Sequence, residues 1–202
     1  DAAGLGRGRG DLGRRADRAV AAQACKGRVV VAAQQTPERR ELTLIDAQTG
    51  EDRAVPVDWR SALRLQVTRE RARPCGYWLA ASEGAAVRTL RLLGVQVKPM
   101  SSVRPVSVER YDFKSVEAGQ RQDGRGAIQD QGGIVKAQVA LQAQRRRLPA
   151  GGWYVSLAQP LAGLVTAALE PDSQSSYVAA RLIAVPRPGE PDRLLWVMQP
   201  VR

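Results

Sequence analysis

The strictest alternation of apolar and polar positions falls at Val135, Ala137, Val139, Leu141 and Ala143. That period of two predicts a half-buried strand, which Arg145-Arg146-Arg147 brings to an end. Similar alternation recurs along the chain. Leu42 and Leu44 begin a strand, Gln48-Thr49-Gly50-Glu51 reads as a turn, and Val55, Val57 and Trp59 complete a hairpin. Leu63, Leu65 and Val67 read as a third strand, followed after Pro74 by the apolar stretch Tyr77-Trp78-Leu79. Val95 and Val97 form a strand closed by Pro99. Val106, Val108 and Tyr111 form another, as do Trp153, Val155 and Leu157, and Leu194, Trp196 and Met198 make the last.

Three segments carry helical spacing instead. Asp11 can cap a helix from Leu12 in which Ala16, Ala19, Val20 and Gln23 recur at helical intervals. The helix extends to about Ala33, against the opposition of Gly27 and the β-branched run Val29-Val30-Val31, and Thr36-Pro37 ends the element. Residues 82–93 form a second helix, with Val87, Leu90 and Leu93 on one face, Ser82 as cap and Gly94 as stop. A third begins at Gln159-Pro160, lines up Leu161, Leu164, Val165, Ala168 and Leu169, and ends at Pro171. Residues 115–133 are polar and Gly-rich and read as a long surface loop. The expected fold is therefore α+β: mainly antiparallel strands with an N-terminal helix and two shorter helices.

Composition sharpens this picture. The chain has 202 residues, 44% of them hydrophobic but only 4% aromatic, so the core must come from Val, Leu and Ala. No apolar run approaches the ~20 residues of a membrane-spanning helix. The net charge is +11, and Lys26, Lys98, Lys114 and Lys136 are the only lysines among 31 basic residues. An Arg-rich surface attracts nucleic acid, anionic cell-surface polymers or acidic peptides, and reads equally as ordinary solvated surface. Cys25 and Cys75 fit a single disulfide if the chain is exported, and buried thiols if it stays in the cytosol. The opening on Asp1, without Met, suggests a processed or truncated product.

Catalytic chemistry is hard to place. With no histidine, the usual activated-nucleophile pair cannot form, and no SxxK motif occurs. Histidine's absence and the two lone cysteines leave no metal-ligand array of the usual kind. The Gly-rich start, Gly4-Leu5-Gly6-Arg7-Gly8, lacks the Lys-Ser/Thr of a phosphate-binding loop. Glu170 and Asp172 stand at a helix C-terminus, where the helix dipole disfavours carboxylates, so they call for partners. A structural clamp with Ser and backbone N–H groups is the reading preferred over catalysis. Trp78, Trp153 and Trp196 sit in apolar alternating runs and read as core rather than as stacking platforms. Arg145 to Arg147 read as a solvated strand end, with an anion site as the alternative.

Three blocks carry a resemblance. They are Val57-Asp58-Trp59-Arg60-Ser61 continuing to Arg73-Pro74-Cys75-Gly76-Tyr77-Trp78-Leu79 and Leu90-Arg91-Leu92-Leu93-Gly94-Val95; then Val108-Glu109-Arg110-Tyr111; then the run from Gly152 to Ile183. In order and spacing they resemble the C-terminal part of bacterial M14-family zinc carboxypeptidase-like proteins. Gly4-Leu5-Gly6-Arg7 and Leu12-Gly13-Arg14-Arg15 resemble the end of that family's catalytic domain, with Asp1 near the place of its general-base glutamate. The resemblance implies a catalytic-domain tail over 1–36 and a mainly β accessory domain over 37–202. It also implies zinc in the full-length parent, although the family's His-x-x-Glu motif, its distant His and its carboxylate-gripping Arg have no counterparts here.

The expected function is that of an accessory region of such a metallocarboxypeptidase, inactive alone. The alternative is an Arg-rich binding module for an anionic polymer, or a structural assembly subunit. Expected partners are a catalytic domain or another protein chain, with an anionic polymer or peptide substrate as further candidates. The expected location is periplasmic or secreted, with the cytoplasm as the alternative.

Overall fold

The computed structural model describes residues 13–123, 126–128 and 132–201, without the side chains of residues 61 and 62. The chain is α+β and mainly antiparallel. A helix over 13–21, α1, leads into a hairpin of two long strands, β1 (Arg28–Ile45) and β2 (Asp52–Ala72). Then come β3 (Gly76–Leu79), a short 3-10 turn at Ala81–Glu83, helix α2 (Gly84–Leu92) and β4 (Lys98–Pro99). A second long hairpin follows, β5 (Arg104–Gly119) and β8 (Ile134–Leu148), with the two-residue strands β6 (Gln122–Asp123) and β7 (Gly126–Ala127) at its turn. Strand β9 (Trp153–Ser156), helix α3 (Ala162–Leu169) and β10 (Leu194–Val197) complete the chain.

Six of the strands form one sheet in the order β4-β9-β3-β10-β5-β8, every pair antiparallel. The central strands β3 and β10 are buried on both faces, which explains their short continuous apolar runs. On one face Tyr77, Leu79, Tyr111, Val155 and Trp196 pack against Leu90 of α2 and Val165 and Leu169 of α3. On the other, Trp78, Val106, Val108, Leu148, Leu195 and Val197 form a second cluster with Met100. Gly152 permits this packing, because a Cβ there would stand 2.5 Å from Trp78 Nε1.

Several sequence expectations hold, among them the α+β class, the turn after Leu44, the second helix, the third helix (which starts at Ala162 rather than at Gln159-Pro160) and the final strand. Gly94, at φ +86°, stops α2 as expected; a left-handed residue there suits glycine. Other expectations need correction. The N-terminal helix does not reach Ala33: residues 28–45 are strand, because Val29-Val30-Val31 favour extended backbone. Thr36-Pro37 does not end the element. Pro37 pairs with Arg60 inside the two-stranded hairpin, where an edge position tolerates a missing N–H.

Leu63, Leu65 and Val67 belong to the same strand as Val55, interrupted by a register shift between Gln35 and Thr36. The loop expected over 115–133 begins later, since β5 runs to Gly119. Arg145-Arg146-Arg147 lies within β8, whose end is the buried Leu148. Ser82 gives no helix cap; its hydroxyl bonds Glu83 instead. Leu93 lies just beyond α2 and is exposed.

Candidate functional site

Among the described residues, the hairpin β1–β2 pairs with no other strand. At about 3.3 Å per residue, the 18 residues of β1 give it a reach of about 60 Å. Its root is tied down twice. Cys25 and Cys75 form a disulfide that closes the chain immediately outside the two strands. Next to it, Val29 and Val31 are buried.

The second tie is a cluster of charges. Side chains alternate across a strand, so Arg69 and Arg71 of β2 share a face. Both reach the carboxylates that follow α3. Glu170 is the C-cap of that helix, and Pro171 then turns the chain to bring Asp172 alongside. Arg71 Nη1 donates to Glu170 Oε2 at 2.6 Å, and Arg71 Nη2 to Asp172 Oδ2, also at 2.6 Å. Arg69 Nη1 donates to the same Asp172 oxygen. Tyr77 Oη (2.7 Å) and Trp196 Nε1 (2.6 Å) both donate to Glu170 Oε1. The guanidinium of Arg71 lies 5.8 Å from the centroid of the Trp196 ring, a cation–π distance.

Both carboxylate side chains are fully buried and Arg71 is 11% exposed. Burial pushes the Glu170 carboxyl above its usual range, opposed by the donors Tyr77 and Trp196 and by the charge of Arg71. Burial pulls the Arg71 guanidinium down, but Asp172 and Glu170 outweigh it and hold Arg71 above its ordinary value. Burial also pushes the Tyr77 and Tyr111 phenols well up, helped by the Glu170 charge. Both oxygens of Glu170 are occupied by donors, so the pair acts as a clamp, as expected. Its partners differ from the expected Ser and backbone N–H groups. They are two arginines, a tyrosine and a tryptophan. Ser176 instead shapes the following turn, donating to Pro171 O and accepting from Ala179 N. The alternation of Arg69 and Arg71 marks one basic face of β2, but which carboxylates it meets is set by the fold.

Beyond the root, several bonds tie the hairpin to itself. Glu38 accepts from Arg40 and Arg64, Asp46 caps the turn at Gln48 and Thr49, and Arg40 lies 5.3 Å from the Trp59 ring centroid. Leu63 is 96% exposed, Ile45 74%, Leu65 57% and Trp59 39%. Leu63 stands where the register slips: Gln35 pairs with Leu65 and Thr36 with Ser61, so residues 62–64 bulge from β2. Thr36 Oγ1 bridges the bulge to Arg64 O. A groove of about 720 Å³ runs between this part of the hairpin and the segment Asp172–Ser175, with Gln34, Arg60 and Thr68 on one wall and Gln122 on the other.

The remaining candidates are scattered. Asp1 and the Gly-rich start lie outside the described residues. Trp78 and Trp196 are core side chains, as expected; Trp153 is only partly buried and carries Arg91 over its ring at 5.0 Å. Trp59 lies in a hairpin strand, as its alternation predicts, and nothing in that run distinguishes an exposed ring from a buried one. Among the described residues no three His, Cys, Asp or Glu side chains converge as metal ligands. No helix among them is long and apolar enough to cross a membrane. Comparison with family models, curated proteins and solved structures finds no match to this chain.

Proposed function

We propose that this chain is a non-catalytic assembly module, and that the β1–β2 hairpin is the arm by which it engages a partner protein outside the cytoplasm. The observation that carries this reading is the arm's outer half. A two-stranded ribbon is marginal alone in water, yet this one extends far past its anchored root and exposes Ile45 and Trp59 there, with Leu63 and Leu65 exposed at the bulge where the outer half begins. Side chains of this kind on an unshared ribbon gain most by burial against another protein. The buried arginine clamp and the disulfide support the same reading, because both fix the root from which such an arm reaches. The disulfide also favours an oxidising compartment.

A catalytic domain of the M14 carboxypeptidase type is the partner that the sequence resemblance suggests. In that case zinc and peptide-bond cleavage would belong to the partner, and this chain would support it.

The test is sedimentation of the chain in extracts of its own cells, wild type beside the triple variant Ile45→Asp, Trp59→Asp, Leu65→Asp. The wild type should travel in a complex much heavier than 21.9 kDa, and the variant should be released from it. A wild type that sediments at its own mass, or a variant that stays in the complex, rejects the arm as the contact. Zinc in the complex, together with release of C-terminal residues from a test peptide, would identify the partner as a carboxypeptidase domain.

A further inference from the structure

Strand β8 is the outer strand of the six-stranded sheet, and its backbone directions follow from the bonds of its neighbours. Met198 N donates to Ser107 O at 3.0 Å, so Ser107 and the other odd-numbered residues in this part of β5 turn their backbone groups toward β10. Val106, Val108 and Arg110 then turn theirs toward β8, where they pair with Arg146, Gln144 and Gln142. By alternation, the N–H and C=O groups of Leu141, Ala143, Arg145 and Arg147 point out of the sheet. Two bonds farther up the strand agree with this parity. Val135 N donates to Ala179 O at 2.9 Å, and Val139 O accepts from Arg71 Nη2 at 3.4 Å. Those bonds cover the first half of the edge. Among the described residues, no hydrogen bond reaches the outward groups of Leu141, Ala143, Arg145 and Arg147.

We propose that the β8 edge from Leu141 to Arg147 accepts an extended acidic segment of a partner protein as a seventh, hydrogen-bonded strand. The backbone supplies a row of open donors and acceptors. The side chains supply the selectivity. Arg145 and Arg147 are exposed and share a face with Ser107 and Pro105, and with Gln199 they line a groove of about 360 Å³. Side chains two apart on a strand stand about 7 Å from each other. A strand with acidic residues at alternate positions therefore meets both guanidinium groups. Arg146, on the opposite face, is engaged by Asp192 at 2.8 Å. Positive charge on an open edge repels a second copy of this +11 chain and attracts an acidic strand. The surface is separate from the arm, and this inference does not depend on the arm's role.

The experiment uses the full chain and three fluorescent probes. These are a peptide of roughly eight residues alternating Glu and Val, its Lys-Val counterpart, and a short single-stranded oligonucleotide. The Glu-Val peptide should bind, with affinity falling as salt rises, and the Lys-Val peptide should not. Arg145→Glu/Arg147→Glu should weaken binding at least about tenfold. Ala143→Pro removes one outward N–H while leaving the β5 ladder intact, and should weaken it comparably. On the unaltered chain, the amides of Ala143, Arg145 and Arg147 should gain protection from hydrogen exchange when the peptide binds, while Gln142 and Gln144 are protected throughout. Arm variants such as Trp59→Asp should leave this binding unchanged. Failure of the Glu-Val peptide to bind overturns the proposal. So does binding without new amide protection. Oligonucleotide binding that Ala143→Pro does not weaken, with no peptide binding, would reassign the arginines to nucleic acid.

Discussion

Removing the Arg71 guanidinium would leave Glu170 and Asp172 buried beside each other with much of their compensation gone. Breaking a buried pair on one side typically costs about 3–5 kcal/mol, and Arg71→Ala should lose stability of that order in urea unfolding. Neutralising the acids in the same molecule, with Glu170→Gln and Asp172→Asn, should recover part of the loss; no recovery would mean that Arg71 acts by packing alone.

The four tyrosines give a second reading of the same interior. Burial raises all of them above the ordinary 10.0, Tyr77 and Tyr111 furthest. The unfolded phenols therefore ionise first. Their stabilising contribution is complete below pH 10 and is lost as pH rises from there through the folded values. Near-ultraviolet absorbance should stay flat through pH 10 and then rise together with the loss of circular dichroism. A separate ionisation step near pH 10 in the folded protein would contradict the burial of these phenols.

At the scale of elements, the arm and the body should be separable. Replacing residues 38–59 with a short turn removes a ribbon whose side-chain bonds, among the described residues, stay within the arm. The midpoint of thermal unfolding should move by less than about 2 °C; a larger drop would show that the outer arm supports the body. The disulfide at the root is different. Cys25 and Cys75 are 50 residues apart, and closing a loop of that length is worth up to about 4 kcal/mol. Cys25→Ser/Cys75→Ser should cost stability on that scale in denaturant unfolding, and a negligible loss would mean that the root is held by the arginine clamp alone.

Elements of this size were legible where burial imposed a period. Val135 to Ala143 alternates because β8 packs on one face, and Val87 and Leu90 recur because α2 lies on the sheet. The arm's alternation is broken because its outer half packs on no other described element, so polar residues interrupt both faces there. The charge clamp was half legible. Glu170 and Asp172 announced a need for partners, but Arg71 lies 99 residues from Glu170, and the three-dimensional path of β2 alone brings them together.

Across the whole molecule, one short sheet carries two hairpins of unequal fate. The β5–β8 hairpin joins the sheet and ends it with an open basic edge; the β1–β2 hairpin leaves the body and keeps only its root there. The net charge of +11 then favours an acidic partner for either surface. Association with such a partner should slow by about an order of magnitude or more between low and high salt, measurable by stopped flow once the partner is in hand. A rate indifferent to salt would mean that apolar contact alone brings the two together.

The disulfide has one more consequence. It bridges positions on either side of the whole arm, so the segment between Cys25 and Cys75 is a covalent ring, with the remaining chain leaving it in two tails. A protease that cuts the exposed ribbon opens the ring without dividing the molecule. The nicked protein would keep both halves attached and run as one species until a reductant released them.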